Sequence, residues 1–488
     1  MDAAVIIVGA GPSGLTLAAE LRLAGIDTIV VERLEKPSGE SRGLGFTART
    51  MELFDQRGLL PEFGDAQISP HGHFGGINFD YRVLEGAHFG LRGVPQARIE
   101  RILEDWATRL GADVRRGVEL TGLDDDGTAV TAHVTGPDGA AALRAPWLVA
   151  CDGGRSTARR LAGFAFPGTE ATMEMYLADV AGPDLRPRPL GERLPNGMVM
   201  SAPLGDGYHR VIVCPRGVPA RDRRAGPPPF AEVAGAWKHI TGEDIGAADA
   251  RWVSAFGDAT RQVTEYRRGR VLIAGDAAHV HLPAGGQGLS TGVQDVMNLG
   301  WKLAAEARGW APPGLLDTYH AERHPVGARL LANTRAQGTL FLGGADVEPL
   351  RSVLAGLMAE TEVRRHLAGM VSGLDVRYDV GPGDHPLLGM RVPPVGLLAG
   401  SGPTSTVELL RDGRGYLLDA ADDAALRAAA APWADRVRTV TAVPRGPGGP
   451  LDGTAALLVR PDGHIAWTSP GGGDPAPALA RWFGAPAR

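Results

Sequence analysis

The chain has 488 residues, 44% of them hydrophobic and 22% charged, with a formal net charge of −6. That balance is expected of a soluble, multidomain globular protein and supplies no basic field for nucleic acid. No apolar run approaches the roughly 20 residues of a membrane-spanning helix, and the first strand begins too early to leave room for a signal peptide. The two cysteines, Cys151 and Cys214, form no CxxC pair and no metal-ligand cluster. A reduced, cytoplasmic setting without structural disulfides and without a metal is expected.

The first unit is the most informative. Val5-Ile6-Ile7-Val8 is a short β-branched run of buried-strand type. Gly9-Ala10-Gly11-Pro12-Ser13-Gly14 follows, then a helical stretch that Gly25 stops, then a second strand at Ile29-Val30-Val31 with Glu32 at its end. Gly9 permits the tight turn, Gly11 lets backbone approach a pyrophosphate, and Gly14 lets helix and strand pack closely. The helix N-terminus faces the phosphates. Glu32 lies 23 residues after Gly9, where a carboxylate can accept hydrogen bonds from ribose hydroxyls.

Residues 34–39 read as a polar loop. Ser41-Arg42-Gly43-Leu44-Gly45 is a glycine-rich segment able to lie along a bound cofactor, and a helix is expected at 51–54. Residues 71–92 are rich in glycine and aromatic residues, with a strand predicted over 77–81. A helix follows Gln96 through Leu103, Trp106 and Leu110, and short strands are expected near 113–115 and 118–120. A hairpin of 129–134 and 142–144 turns at Pro137-Asp138-Gly139. The buried strand 147–150 delivers a second motif, Cys151-Asp152-Gly153-Gly154-Arg155-Ser156-Thr157-Ala158-Arg159. There Asp152 and Arg159 are expected to tie loop to helix by a charge-assisted hydrogen bond.

From 173 to 265, strand-like segments separated by Pro/Gly turns suggest an inserted sheet domain that could wall a substrate cavity, with a helix over 230–240 carrying Trp237. A third motif then opens on the strand 271–274. It runs Gly275-Asp276-Ala277-Ala278-His279, then Pro283-Ala284-Gly285-Gly286-Gln287-Gly288-Leu289, into a helix with Asp295, Asn298, Trp301 and Lys302. Asp276 can accept hydrogen bonds from a polyol. The loop and helix N-terminus present N–H groups and a positive dipole end. His279 reads as a strand-end histidine satisfied by local hydrogen bonds rather than as an acid or base. Residues 315–375 look helical and bundle-like, with apolar positions including Leu330, Leu340, Leu350, Leu357 and Leu367. After a break at 391–394, the tail reads as a small α/β unit.

These motifs, in this order and with the intervening sheet, resemble the single-component aromatic hydroxylases of the para-hydroxybenzoate hydroxylase type. The stretches 39–52, 171–177 and His73-Phe74-Gly75-Gly76 are similar to angucycline polyketide hydroxylases. The resemblance implies an α/β multidomain chain: a Rossmann-like FAD-binding domain in two parts (1–172 and 266–390), an inserted mixed β-sheet substrate domain (173–265) and a thioredoxin-like C-terminal domain (391–488) lacking CxxC. It implies non-covalent FAD, NADPH or NADH as a transient reductant that needs no second GxGxxG, and O2 as co-substrate.

Carried over by position, the resemblance puts Gly9, Gly11, Pro12, Ser13 and Gly14 at the pyrophosphate, and Glu32 and Arg33 at the adenosine ribose. Arg42, Gly45, Gln96 and the backbone near Leu120 would lie along the cofactor. Asp276 would bind the ribityl chain, and Pro283, Gly286, Gly288 and Leu289 would border the flavin. A small aromatic polyketide is the implied partner of a monomer or homodimer, with Phe74, Phe89 and Trp237 as substrate-pocket candidates. Oxygen would be delivered by a flavin C4a-hydroperoxide, so no protein nucleophile is required and no acid or base is assigned. Baeyer–Villiger insertion on a polyketide ketone, rifampicin-type drug inactivation and a flavin-binding partner without turnover are the alternatives.

Overall fold

The computed structural model describes residues 1–65, 68–84, 90–182, 184–221 and 226–487. The candidate Phe89 lies outside the described residues. The principal sheet has six strands in the spatial order Arg267–Arg268, Val271–Ile273, Trp147–Ala150, Val5–Val8, Thr28–Glu32 and Asp113–Arg116. All neighbours are parallel except the short Arg267–Arg268 edge. A parallel sheet covered on both faces needs strands that are apolar throughout, and Val5, Ile6 and Ile7 are fully buried. Val271–Ile273 rejoins this sheet after the insertion, beside Trp147–Ala150, which is itself beside Val5–Val8. The three glycine motifs therefore leave the carboxyl ends of three adjacent strands, where open α/β sheets bind ligands.

The helix Pro12–Leu23 lies against the long helix Gln287–Ala307. A Cβ at Gly292 would sit 2.5 Å from Ser13 Oγ, so a larger residue there would have to displace the Ser13 hydroxyl. The expected hairpin forms as Val130–Gly136 and Gly139–Ala145, with Gly136 paired to Gly139.

The insertion is a five-stranded antiparallel sheet in the order Arg188–Leu194, Gly197–Gly205, Tyr208–Pro215, Glu174–Ala181 and Asp249–Gly257. Side chains alternate between its faces. One face, with Tyr176, Ala178, Val199 and Val211, is covered by Val233, Trp237 and Ile240 of the helix Phe230–Thr241. The other face presents Met175, Met198 and Cys214 to Leu282, Ala284 and Phe341. Trp237 is 0% exposed within the first of these cores. It is a packing residue of the insertion, not a pocket wall, because its helix covers the face turned away from the third motif.

The helix Thr318–Leu342 joins the two parts. Its orphan C-terminal carbonyls are met by three guanidinium groups. Arg193 and Arg216 of the inserted sheet donate to Gly343 O (2.8 and 2.9 Å), and Arg351 donates to Leu340 O (2.7 Å). Cations at a helix C-terminus also oppose its dipole. The bundle-like expectation fails for the next helix, Glu348–Leu357, which buries no residue. Leu350 is 55% and Leu357 52% exposed.

The C-terminal sheet has the order Gly402–Ser405, Gly396–Ala399, Val437–Pro444, Gly415–Asp419, Ala456–Val459 and Ile465–Ser469. Buried charge docks it. Arg460 pairs with Glu322 (2.6 Å) and Asp462, and Lys302 pairs with Glu322 at 2.8 Å. Arg57 binds Glu20 (2.6 Å) and donates to Leu410 O and Pro461 O. No helix among the described residues is long and apolar enough to cross a membrane. Removing one partner of a buried pair strands the other in low dielectric. Arg460→Ala is therefore expected to destabilise the protein by about 3–5 kcal/mol, read as a lowered urea midpoint at constant FAD concentration.

Candidate functional site

At the first turn, Gly9 has φ +105°, and a Cβ there would lie 2.5 Å from Cys151 O. A Cβ at Gly14 would lie 1.9 Å from Gly9 O. Gly11 is different: a Cβ there would meet nothing within 4 Å, so the outer side of the turn is open. The helix Pro12–Leu23 has Gly11 at its N-cap and no side-chain cap. Pro12 has no N–H, which leaves the Ser13 and Gly14 N–H groups for an external acceptor. The Ser13 hydroxyl points the other way, against Gly275 and Gly292. The Glu32 carboxylate accepts from Ala10 N–H (2.9 Å) and Leu34 N–H (3.0 Å), so it braces the turn while keeping lone pairs for other donors. Arg33 is exposed beside it.

The 41–45 loop is held by the start of the helix Gln96–Arg109. Gln96 accepts from Gly43 N–H (3.1 Å) and donates its backbone N–H to Gly43 O (3.0 Å). Ser41 Oγ accepts from Ala97 N–H at 3.1 Å. Gln96 Nε2 donates to Glu100. The Gly43 backbone faces Leu289 Cδ1, 3.9 Å from an added Cβ, which brings this loop to the third motif. Gly45 pairs with Gly93, Leu120 is buried in the strand Glu119–Asp125, and Arg42 is exposed.

The second motif differs from expectation. Asp152 does not hydrogen-bond Arg159. Its carboxylate accepts from Thr157 N–H (2.7 Å), Ala158 N–H (3.0 Å) and the Ser156 hydroxyl. Backbone N–H groups at a helix start are closer and better aligned for an anion than a guanidinium a further turn along. Arg159 instead donates to Ala277 O and Gly154 O, both at 2.8 Å, with its guanidinium 3.8 Å from the centre of the Phe166 ring. It thereby clamps the carbonyl next to Asp276.

In the third motif, Asp295 Oδ2 accepts from Gly275 N–H (3.2 Å) and lies 2.8 Å from His279 Nε2, while Oδ1 accepts from Arg323 Nε at 2.7 Å. Burial alone would raise this carboxyl, but Arg323 and His279 hold it below the usual carboxylate range. His279 is bonded through Nε2 to Asp295, 16 residues on, while its buried Nδ1 has no hydrogen-bond partner, so the expectation of a ring satisfied by local hydrogen bonds is met at one nitrogen only. The helix Gln287–Ala307 starts at Gly286 (φ +65°) with no side-chain cap. Asp276 is exposed. Its Oδ1 and His281 Nε2 lie 4.0 and 3.4 Å from the position of a Cβ on Gly288. His281 Nδ1 is 2.7 Å from Leu282 O, and burial, aided by His279, pushes the ring down to about 4. Its Nε2 is therefore an acceptor at neutral pH. Two uncapped helix N-termini, the open side of Gly11 and the exposed Asp276 fit a dinucleotide with a polyol and a ring able to carry negative charge.

Between the inserted sheet and the third motif, Met175, Met198, Leu282, Ala284 and Phe341 form one cluster. The His73 ring lies 5.0 Å from that of Phe341, and burial pushes it down to about 4. Phe74, the next residue, lines a separate apolar cavity of about 340 Å³ with Leu340, Leu354 and the exposed Leu350 and Leu357. The strand alternation that turns His73 to the cluster turns Phe74 away from it.

Glycine turns converging outside the carboxyl ends of a parallel sheet define a dinucleotide-binding α/β protein. The family described as FAD binding domain matches residues 2–334, and that described as aromatic-ring hydroxylase, C-terminal, matches residues 385–486. The chain belongs to the FAD-dependent aromatic-ring hydroxylases. It is 44% identical, over 99% of both chains, to the 12-dehydrotetracycline 5-monooxygenase/anhydrotetracycline 6-monooxygenase of Streptomyces rimosus. Among solved structures it is similar to CabE, an aromatic hydroxylase from angucycline biosynthesis, at 61% identity over the whole of both chains with a TM-score of 0.97. It is also similar to BexE, described in connection with oxidation during BE-7585A biosynthesis, at 62% identity over the whole of both chains and a TM-score of 0.96.

Gly11→Ala adds a methyl group where the protein itself has no atom within 4 Å. It is expected to leave the melting temperature of the FAD-free protein unchanged and to weaken FAD binding by at least ~10-fold, about 1.4 kcal/mol, measured by flavin fluorescence titration. His73 and His281, held unprotonated down to about 4, take up protons in the unfolded chain from about 6.5. Their contribution to stability is complete above pH 6.5 and is lost as pH falls toward 4. The melting temperature should fall across that window, and less steeply in His73→Asn.

Proposed function

We propose that the chain is an NAD(P)H-dependent FAD monooxygenase that hydroxylates an aromatic polyketide of angucyclinone type in antibiotic biosynthesis. The observation that carries this reading is the apolar meeting of the inserted sheet face with the third-motif loop at Leu282 and Ala284. A flat polycyclic ring stacked there would lie beside the place where the Gln287–Ala307 helix begins. The similarity to CabE at 61% identity favours an angucyclinone over a tetracycline skeleton.

In this reading the Ser13 and Gly14 N–H groups hold the pyrophosphate, Glu32 the adenosine ribose and Asp276 the ribityl hydroxyls. Gln96, Gly45 and the Leu120 backbone border the cofactor. The N–H groups of Gly288 and Leu289 lower the cost of negative charge on the ring. FAD, once reduced by NADPH or NADH, supplies the electrophilic oxygen derived from O2. Met175, Met198 and Phe341 exclude water and orient the acceptor ring. No side chain is assigned as acid or base. The segments 1–172 and 266–390 form the FAD domain, and 173–265 is the substrate domain. The tail is thioredoxin-like without cysteines, a reading supported by its parallel Gly415–Asp419 and Val437–Pro444 pair, the Ala424–Ala430 helix between them, and the hairpin and helix that follow.

Anaerobic NADPH reduction of the FAD-loaded protein tests this, with and without an angucyclinone. Acceleration of flavin bleaching by ~10-fold or more is expected, followed on adding labelled O2 by one labelled hydroxyl on a ring carbon. Equal bleaching with and without the compound would count against the substrate class. Label in a ring-expanded lactone would establish Baeyer–Villiger insertion instead.

A further inference from the structure

We propose that Gln337 is a positioning residue that couples the hairpin on the substrate side to the loop on the flavin side. It does so through a one-directional chain of buried amides. Gly75 N–H donates to Gln337 Oε1 (3.2 Å) and Gln337 Nε2 to Asn333 Oδ1 (2.9 Å). Asn333 Nδ2 donates to Gln287 Oε1 (3.2 Å), and Gln287 Nε2 to Ala284 O (3.0 Å). The three side chains belong to residues 0%, 6% and 4% exposed.

The chain begins at a backbone N–H, which can only donate, and ends at a backbone carbonyl, which can only accept. One orientation of all three amides satisfies both ends; flipping any one sets acceptor against acceptor and donor against donor. In a buried site that mismatch is costly, so the amides move together or not at all. Gln337 and Asn333 are four residues apart on one helix face, which fixes their spacing rigidly.

Both ends of the chain are built into walls of the site. A Cβ on Gly75 would lie 2.6 Å from Leu340 Cβ, and one on Gly76 would lie 2.6 Å from Phe341 Cδ2. The hairpin that carries His73 is thus pressed onto the helix that carries Gln337. At the other end, Ala284 precedes Gly285 and Gly286, which both have positive φ and set where the Gln287–Ala307 helix begins. Displacement of either wall is therefore transmitted to the other through Gln337. The site assignment rests on the reading proposed above, but the coupling is tested with FAD alone, without turnover, so the two fail independently.

The experiment is hydrogen–deuterium exchange of the full chain, FAD-free against FAD-loaded. In the native sequence, FAD should slow exchange in both the 281–288 loop and the 71–80 hairpin, the latter by about tenfold. Gln337→Met should still bind FAD and protect the loop, yet lose hairpin protection. Gln337→Glu supplies donor and acceptor only when protonated. It should restore hairpin protection at pH 5 and lose it at pH 8, each compared with its own FAD-free form. Hairpin protection that is unchanged in Gln337→Met, or absent in the native protein when FAD is bound, overturns the proposal. Should the Met variant not fold, equal hairpin protection of Gln337→Glu at both pH values overturns it alone.

Discussion

The buried Asp295 carboxylate is the fixed point of the site. It accepts from the Gly275 backbone, the His279 ring and the Arg323 guanidinium, which come from the turn, the strand and the helix that meet behind the cofactor crevice. An unpaired carboxylate at this depth would be protonated or would unfold its surroundings. With three donors it stays charged and holds three elements in register. Asp276, one residue past Gly275, inherits its direction from this arrangement, and Arg159 adds a second hold through Ala277 O.

The helix Thr318–Leu342 carries that order outward. Near its start, Arg323 reaches Asp295; at its end, Arg193, Arg216 and Arg351 collect its carbonyls. Between them stand Asn333 and Gln337. One rigid element therefore registers the third-motif loop against the inserted sheet, although Pro325 interrupts its hydrogen-bond ladder. The inserted sheet supplies an apolar face with Met175, Met198 and Cys214 toward the third-motif loop, and the helix sets where that face lies.

What could be read from the sequence was local. Strand, glycine turn, helix and acid occur within residues 5–32, and their spacing alone constrains them. Longer pairings were not legible: Asp295 and Arg323 are 28 residues apart, and nothing in their neighbourhoods marks the partner. Asp152 and Arg159 differ from the sequence expectation for the opposite reason. Their closeness in sequence suggests a pair, but the intervening helix start offers the carboxylate nearer backbone donors. For Trp237 the sequence does carry the signal of a core residue. Val233, Trp237 and Ile240 recur at helical spacing as one apolar stripe, the pattern of a helix covering its own sheet. Leu350 and Leu357 show the limit of that rule, since their helix has an apolar stripe that the fold leaves exposed.

The C-terminal unit shows why distant charge matters to the crevice. Lys302 and Asn298, on the helix that begins at the third motif, are bound to Glu322, which Arg460 of the C-terminal sheet also holds. Burial lowers the Lys302 ammonium to about 8 despite the attraction of Glu322. Asn298 also donates to Asp462, and Arg49, in the helix that follows the 41–45 loop, donates to Asp462 O. An apolar interface of the same area would tolerate sliding along the helix axis, because dispersion contacts are not directional. Hydrogen-bonded charges do not: a shift of one turn would leave several buried ions unpaired. The tail thereby fixes how far the Gln287–Ala307 helix advances along its axis. The position of the first-turn N–H groups relative to the Gly275–Asp276 turn depends on that advance.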